Sequence, residues 1–470
     1  MTDDLGLGDA YSAALGQIKG QGGEKERLGM AALMWISHAE RPLKLDELCH
    51  ALAVEIGSPN INSDDIPSIG TLLACCQGLV AVDKETSTIR LIHFTLQEYL
   101  WAHPELFSTA HSTIAETCLS YLNSEQIKAL STNPYHDLQS TPFLEYSSLY
   151  WGIHARKELS DYGRILAPKL FDGHKNHIAV KTLLEVQGRY VCGVHFDKLS
   201  LFSCLHCACI FGIDEMVASL SEVEGCDINQ EDCVGNTPLV WAARNGHVEV
   251  VKILLRQGNV NPDKPDGYYG QTPLCHAAEN GHEGVVKILL GRDDVNPSKP
   301  DEDGRTPLSY AAENGHGGVV IMLLGRDDVS PNKPDEYGQT PLCCAAENGH
   351  EGVVKVLLGR DDVNPDESDG YGRTPLWCAA WNGHEGVVEA LLERVDVNPD
   401  KPDEYGRTPF WWASGNGHEG VVKILLGRDD VDRDKPDKSG RTPLWSATKN
   451  HHARVIALLQ PPTSITHSAV

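Results

Sequence analysis

Gly304-Arg305-Thr306-Pro307-Leu308-Ser309-Tyr310-Ala311-Ala312-Glu313-Asn314-Gly315-His316-Gly317-Gly318-Val319-Val320-Ile321-Met322-Leu323-Leu324 decides the fold, because close copies of it recur through the second half of the chain. The string Gly-x-Thr-Pro-Leu places Thr at 237, 272, 306, 340, 374, 408 and 442, and Phe410 replaces Leu in one copy. The first spacing is 35 residues and the next five are each 34. A period of this size marks a repeat architecture. An upstream unit, Ser203-Cys204-Leu205-His206-Cys207-Ala208, lies 34 residues before Thr237 with Gly212 in register with Gly246, which makes about eight copies.

Each position has a mechanical reading. Gly304 supports a tight turn, Thr306 caps a helix, and Pro307 suits its first turn. Leu308, Ala311 and Ala312 give a narrow apolar face whose small residues let neighbouring helices approach closely. Asn314-Gly315 breaks that helix and His316 opens the next. Val319, Val320, Leu323 and Leu324 fall at i, i+1, i+4 and i+5, the buried side of a second helix. Two such short helices cannot bury their faces alone, so they are stable only when stacked.

The pattern Thr-Pro-Leu-x-x-Ala-Ala-x-Asn-Gly-His-x-x-Val-Val-x-x-Leu-Leu closely resembles the ankyrin repeat, over roughly residues 200 to 460. That family often carries His after Thr-Pro-Leu, where it ties repeats together by hydrogen bonds. Here the position holds Val240, Cys275, Ser309, Cys343, Trp377, Trp411 and Trp445, so the departure puts the inter-repeat hydrogen-bond ladder at issue, though not the stack. The linkers carry paired prolines such as Pro331 and Pro334, which favour extended backbone. The last unit swaps its turn glycine for His451 and runs into Pro461-Pro462, a capped end before a short tail.

The resemblance implies binding through the concave surface: the turn tips and the exposed side of the first helices. The matching tip residues include Tyr268, Tyr269, Tyr337, Tyr371 and Tyr405, followed by Arg305, Arg373, Arg407 and Arg441 after the turn glycines. After Ala-Ala come Glu313 and Glu347, then Trp381. Tyr, Trp and Arg are the types enriched in binding hot spots, and a row spaced by about 10 Å suits an extended peptide or a helical protein partner. The competing reading is that these tyrosines pack on linkers and these arginines pair with aspartates.

Residues 28–106 read as three helices, a β-hairpin and a further helix, the order of a winged-helix fold. Leu28 to Ile36 and Leu45 to Ile56 have helical periodicity, and Ile66 to Gln77 is expected as the third helix with Asp64 or Asp65 as its cap. Leu79 to Val82 and Ile89 to Ile92 alternate around Asp83 to Ser87, and His93 to Leu100 forms the last helix. The third helix has no Lys or Arg to meet phosphates, which argues against nucleic acid as a partner.

The runs Ala32-Leu33-Met34-Trp35-Ile36-Ser37, Arg41-Pro42-Leu43-Lys44-Leu45-Asp46-Glu47-Leu48 and Leu91 to Leu100 resemble the winged-helix domain of fungal NACHT-ankyrin proteins, signalling NTPases of the STAND class related to innate immune receptors. Pro142-Phe143-Leu144-Glu145-Tyr146 and Tyr150 to Arg156 resemble the helical linker before their ankyrin repeats. By this resemblance His93 matches a position that senses the nucleotide of an NTPase domain. The phosphate-binding string Gly-x4-Gly-Lys-Ser/Thr does not occur in these 470 residues, and no cofactor is expected.

Composition bounds the rest. The net charge of −26 disfavours nucleic acid and anionic membrane surfaces. No apolar run reaches the roughly 18 residues of a membrane span, and the acidic start lacks a secretory pattern. The fourteen cysteines, several at repeating helix positions, fit free thiols in a reducing cytoplasm or nucleus. Cys204, His206, Cys207 and Cys209 crowd one repeat helix as core filler, and the linkers lack the turn glycine and final glutamate of a calcium loop, so no metal site is expected. Neither a Gly-x-Ser-x-Gly elbow nor His-Glu-x-x-His is present, and the reading is of a protein that is not an enzyme.

The sequence therefore predicts a mainly α protein, an ankyrin-repeat α-solenoid preceded by a small winged-helix domain and a helical linker. The expected divisions are a helical extension (1–27), the winged helix (28–106), the linker (107–196), the repeats (197–462) and a disordered tail (463–470). The expected role is protein–protein interaction or scaffolding in a NACHT-type receptor fragment. The alternatives are the sensor half of a nucleotide-regulated STAND NTPase whose phosphate-binding domain is encoded upstream or supplied in trans, and DNA regulation through the winged helix.

Overall fold

The computed structural model describes residues 4–130, 141–171, 177–186 and 201–460, which fall into two compact units, 1–234 and 235–470. The predicted tail (463–470) and the end of the predicted linker (187–196) lie outside the described residues.

The first unit opens with α1 (Asp4–Gly20) and α2 (Gly23–His38), so α2 crosses the boundary expected at residue 27. β1 (Leu43–Lys44), α3 (Leu45–Ala53), α4 (Ile69–Cys75), β2 (Val80–Asp83), β3 (Thr88–Leu91) and α5 (Phe94–Ala102) complete the winged helix. The sheet order is β1-β3-β2, antiparallel throughout, with Leu43 and Val82 both opposite Ile89. Leu28, Ala32, Leu33, Leu48, Leu72, Ile89, Leu96 and Leu100 are its buried core.

The third helix is shorter than the periodicity implied. Pro67 biases Ile66 away from helix, so Asp64 and Asp65 close a 3-10 turn (Ser63–Asp65) instead of capping α4. Ser68 Oγ is the cap, accepting from Thr71 N–H at 3.2 Å. Gln77 (φ 47°) and Gly78 (φ 78°) then enter the left-handed region and stop the helix.

The predicted linker contains α6 (Ala110–Asn123), α7 (Glu125–Lys128), α8 (Leu144–Lys157), α9 (Asp161–Lys169) and α10 (Ile178–Val186). The two stretches that carry the receptor resemblance meet at its core. Trp35 of α2 packs edge-on against Phe143, with ring centroids 5.5 Å apart, and Phe143 also packs on Tyr121 and Tyr146. The unit ends with the degenerate repeat, α11 (Cys204–Phe211) and α12 (Asp214–Ser221), joined at Gly212 with φ 72°. Every residue of α11 is buried, and burial pushes the Cys207 and Cys209 thiols well above their usual range.

The second unit is seven helix pairs: α13 (Pro238–Arg244) with α14 (Val248–Arg256), α15 (Pro273–Glu279) with α16 (Glu283–Leu290), α17 (Pro307–Glu313) with α18 (Gly317–Leu324), α19 (Pro341–Glu347) with α20 (Glu351–Leu358), α21 (Pro375–Asn382) with α22 (Glu385–Leu392), α23 (Pro409–Asn416) with α24 (Glu419–Leu426), and α25 (Pro443–Lys449) with α26 (Ala453–Leu459). In every pair the Thr of Thr-Pro caps the first helix by accepting the N–H three residues on. The Ala-Ala and Val-Val positions are buried, as their spacing required.

The inter-repeat ladder is intact, and it runs through groups other than a His after Thr-Pro-Leu. At the tips, backbone N–H groups of Glu302, Glu336, Gly370, Glu404 and Lys438 donate to the carbonyls of Tyr269, Asp303, Tyr337, Tyr371 and Tyr405 of the preceding repeat. Between helices, the His of Asn-Gly-His donates Nε2–H to the preceding repeat, as from His350 to Glu313 O at 2.8 Å and from His418 to Trp381 O at 2.8 Å. In the linkers Arg326, Arg360 and Arg394 grip the Asp two residues on with a two-pronged fork. Each also donates Nη1–H to Leu290, Leu324 or Leu358 O, a carbonyl at the end of the preceding repeat's second helix.

Candidate functional site

Each repeat turn is built on one aspartate, buried in every case but Asp335, which is half-buried. Asp301 Oδ1 accepts from Asp303 N–H and Arg305 N–H at 3.0 and 2.8 Å, and Asp335, Asp369, Asp403 and Asp437 repeat the arrangement. Asp266 holds three N–H groups, of Tyr268, Tyr269 and Gln271. That turn has one extra residue between its Asp and its Gly, which accounts for the single 35-residue spacing.

The second carboxylate oxygen takes a side chain, and which one decides what the arginine row can do. His276 Nε2 (3.0 Å) serves Asp266, Tyr310 Oη (2.5 Å) serves Asp301, and Trp412 Nε1 (2.9 Å) serves Asp403. All three stand two positions after Thr-Pro-Leu or, for Trp412, after Thr-Pro-Phe. Where that position is Cys378 or Ser446, the arginine after the glycine takes over: Arg373 Nε reaches Asp369 at 2.6 Å and Arg441 Nε reaches Asp437 at 2.8 Å.

The predicted arginines therefore divide. Arg373 and Arg441 are clamps on their own turns. Arg305 pairs with Glu313 and lies over the Tyr310 ring, with 4.4 Å to the centroid. Arg407 lies over Trp411 and Trp412, 4.7 Å from each centroid, and over Tyr405 at 5.1 Å. Its Nε is buried without a hydrogen bond, 3.8 Å from Asp437 Oδ2. Glu347, the other predicted glutamate, is held by Gln339 Nε2 at 3.1 Å.

The tyrosines are open to solvent, Tyr268 and Tyr269 at 45%, Tyr371 at 50%, Tyr405 at 55% and Tyr337 at 57%. Tyr268 and Tyr269 meet edge to face at 4.4 Å. Trp381 joins a cluster that single-position reasoning missed. It stacks on Trp377 at 5.1 Å and lies 4.0 Å from Trp412, which meets Trp411 at 4.8 Å. Trp377 Nε1 also points at Asp403, at 3.3 Å. Trp381 and Trp412 are only half-buried, so the cluster presents aromatic surface beside the Tyr371 and Tyr405 tips. The signal was in the sequence as a rise in Trp confined to residues 377–445.

His93, the other singled-out residue, is exposed and caps α5: its Nδ1 accepts from Thr95 N–H at 3.3 Å and meets Thr95 Oγ1 at 2.8 Å. Its neighbours Ile92 and Phe94 are apolar yet 57% and 67% exposed. Among the described residues no helix is long and apolar enough to cross a membrane.

Comparison with known families gives two matches. A model described as ankyrin repeats (3 copies) matches residues 172–266, 259–335, 327–403 and 395–468, together more than half of the chain. A model described as the GPI inositol-deacylase winged helix domain matches residues 18–112. No curated protein matches the chain.

Proposed function

The chain belongs to the ankyrin-repeat family, and from that premise we propose that it is a non-enzymatic interaction protein which grips a segment of a partner protein across the tips of its later repeats. Ankyrin repeats are non-catalytic and serve protein contacts. The observation that carries the finer reading is the aromatic surface in which Arg407 lies over Tyr405 and Trp412, Trp412 meets Trp381, and Tyr371 lies by Arg373 one repeat earlier. Large rigid side chains that are already ordered lose little entropy on binding, which is why such groups dominate interface energies. Arg407 adds a guanidinium whose own turn aspartate is served by Trp412.

Peptides selected on the immobilised full chain from a random display library test this. Peptides that quench tryptophan fluorescence and lose at least tenfold in affinity against Trp412→Ala and Tyr405→Ser support the reading. Selected peptides whose affinity is unchanged by both substitutions overturn it.

A second reading rests on the winged helix, namely that it docks against a nucleotide-binding domain as in NACHT-type signalling receptors. The exposed apolar pair Ile92 and Phe94 beside His93 supports it, because such residues are normally covered. Adding a NACHT domain in trans and observing protection of residues 92–94 from labelling would favour this reading, and absence of protection would remove it.

A further inference from the structure

Two histidines from different helices meet in the first unit. His111 of α6 and His154 of α8 face each other Nδ1 to Nδ1 at 2.8 Å, the distance of two nitrogens sharing one proton. Glu40, just beyond α2, brings a carboxylate to the same place. One ligand atom from each of the three lies within 4.8 Å of the other two. His154 is fully buried, His111 is half-buried, and the Glu40 side chain is partly open, so the group runs from the interior to the surface.

The surroundings are those of a held site. Tyr146 Oη lies 2.9 Å from His154 Nε2 and accepts Glu40 N–H at 3.1 Å, so one phenol orients both the ring and the chain that carries the carboxylate. Metal-ligating histidines need such a partner on the second ring nitrogen to fix tautomer and orientation. In the tautomer that donates Nε2–H to Tyr146, His154 meets His111 Nδ1–H with its Nδ1 lone pair, and a bound ion takes the place of that shared proton. Burial is the main cause that lowers both His154 and His111, with Lys157 adding to it at each.

We propose that Glu40, His111 and His154 form a binding site for a divalent transition-metal ion of the zinc class, with water completing the coordination. Two imidazoles and one carboxylate are a known zinc donor set that leaves a position open. Bonds of about 2.0–2.1 Å at a tetrahedral angle set the two nitrogens about 3.3 Å apart, so the pair opens by about half an ångström to admit the ion. Lys157 Nζ lies 2.6 Å from Glu40 Oε1 and competes for the carboxylate. An ion here ties the end of α2 to α6 and α8, fastening the winged helix to the helices that follow it.

The test is titration of the metal-free full chain with Zn2+ by calorimetry and with Co2+ by visible absorption. One saturable ion per chain with cobalt ligand-field bands is expected. His111→Gln and Glu40→Gln should each weaken it at least about tenfold, and Tyr146→Phe by roughly 10–100-fold, the usual effect of losing an outer-shell partner. Lys157→Gln should tighten it. The Asn-Gly-His histidines can take up ions weakly, but none of these substitutions touches them. No saturable binding to the wild-type chain, or binding unchanged in His111→Gln and Glu40→Gln chains with native circular dichroism, overturns the proposal.

Discussion

Two arginines at equivalent positions of the repeat are held in different ways. Arg373 is bonded to Asp369, whose side chain is 1% exposed, so Arg373→Ala leaves a buried carboxylate short of its partner. We expect a loss of about 2 kcal/mol in urea unfolding with little change in any peptide affinity. Arg407 has no such bond to Asp403, because Trp412 occupies that oxygen. Arg407→Ala should cost less than about 1 kcal/mol yet reduce affinity for a selected peptide by tenfold or more. Equal stability losses in the two variants would contradict the division. The sequence showed the arginine row and could not show this split, since it depends on whether the residue five after Arg is a long donor, as Tyr310 and Trp412 are, or short, as Cys378 and Ser446 are. The cluster of Glu40, His111 and His154 was illegible for a different reason: its members are far apart in sequence, and only the packing of α6 on α8 brings them together.

At the scale of the element, the repeat glycines and alanines leave little latitude. Gly338 has φ 81°, and a Cβ there would lie 2.8 Å from Gly370 N of the next turn. Gly338→Val should cost about 2–3 kcal/mol through backbone strain and that clash. Ala346 is fully buried between first helices, and Ala346→Glu should cost about 4 kcal/mol or abolish local folding. Thermal unfolding read against the parent chain checks both, and an unchanged profile for either would mean the repeat register is misplaced. These features were readable in the sequence because a 34-residue period repeats the same turn, cap and apolar face. The winged helix was readable in order and not in detail. Its hairpin followed from alternation, whereas the two-residue β1 carries no periodic signal, and the start of α4 was misplaced because Pro67 outweighed the capping preference of the aspartates.

Across the whole molecule, burial gives acid sensitivity a definite sign. His50 in the first unit, and His282 and His350 in the second, are all lowered, burial being the main cause. A lowered histidine favours the folded state fully above its ordinary value near 6.5, and this contribution is lost as pH falls below that. Half-buried Asp263, Asp366 and Asp400 are raised, desolvation being the main cause, and act in the opposite sense, gaining stability near the ordinary carboxylate range. Asp266 is pushed up by burial, yet the bonds from His276 and from backbone N–H groups hold it at about 2, so its contribution is present above about pH 4 and fades toward 2. The urea midpoint should therefore be lower at pH 5.5 than at pH 7.5. An equal midpoint at the two values would show that His50, His282 and His350 are not lowered in the folded chain.

The three sets of bonds between successive repeats also make the middle of the second unit modular. Each copy receives a tip N–H, a histidine and an arginine from the next, and offers the same three to the one before. Cutting out residues 306–339 would join Arg305 to Thr340 and leave the tip, histidine and arginine donors each facing an acceptor of its own kind, so a chain one copy shorter should fold. A cut of 33 or 35 residues would put the turn aspartate, the capping threonine and the linker arginine out of step together. The length of this stack is thus a quantity that can change by whole units at little structural cost, whereas its phase cannot change at all.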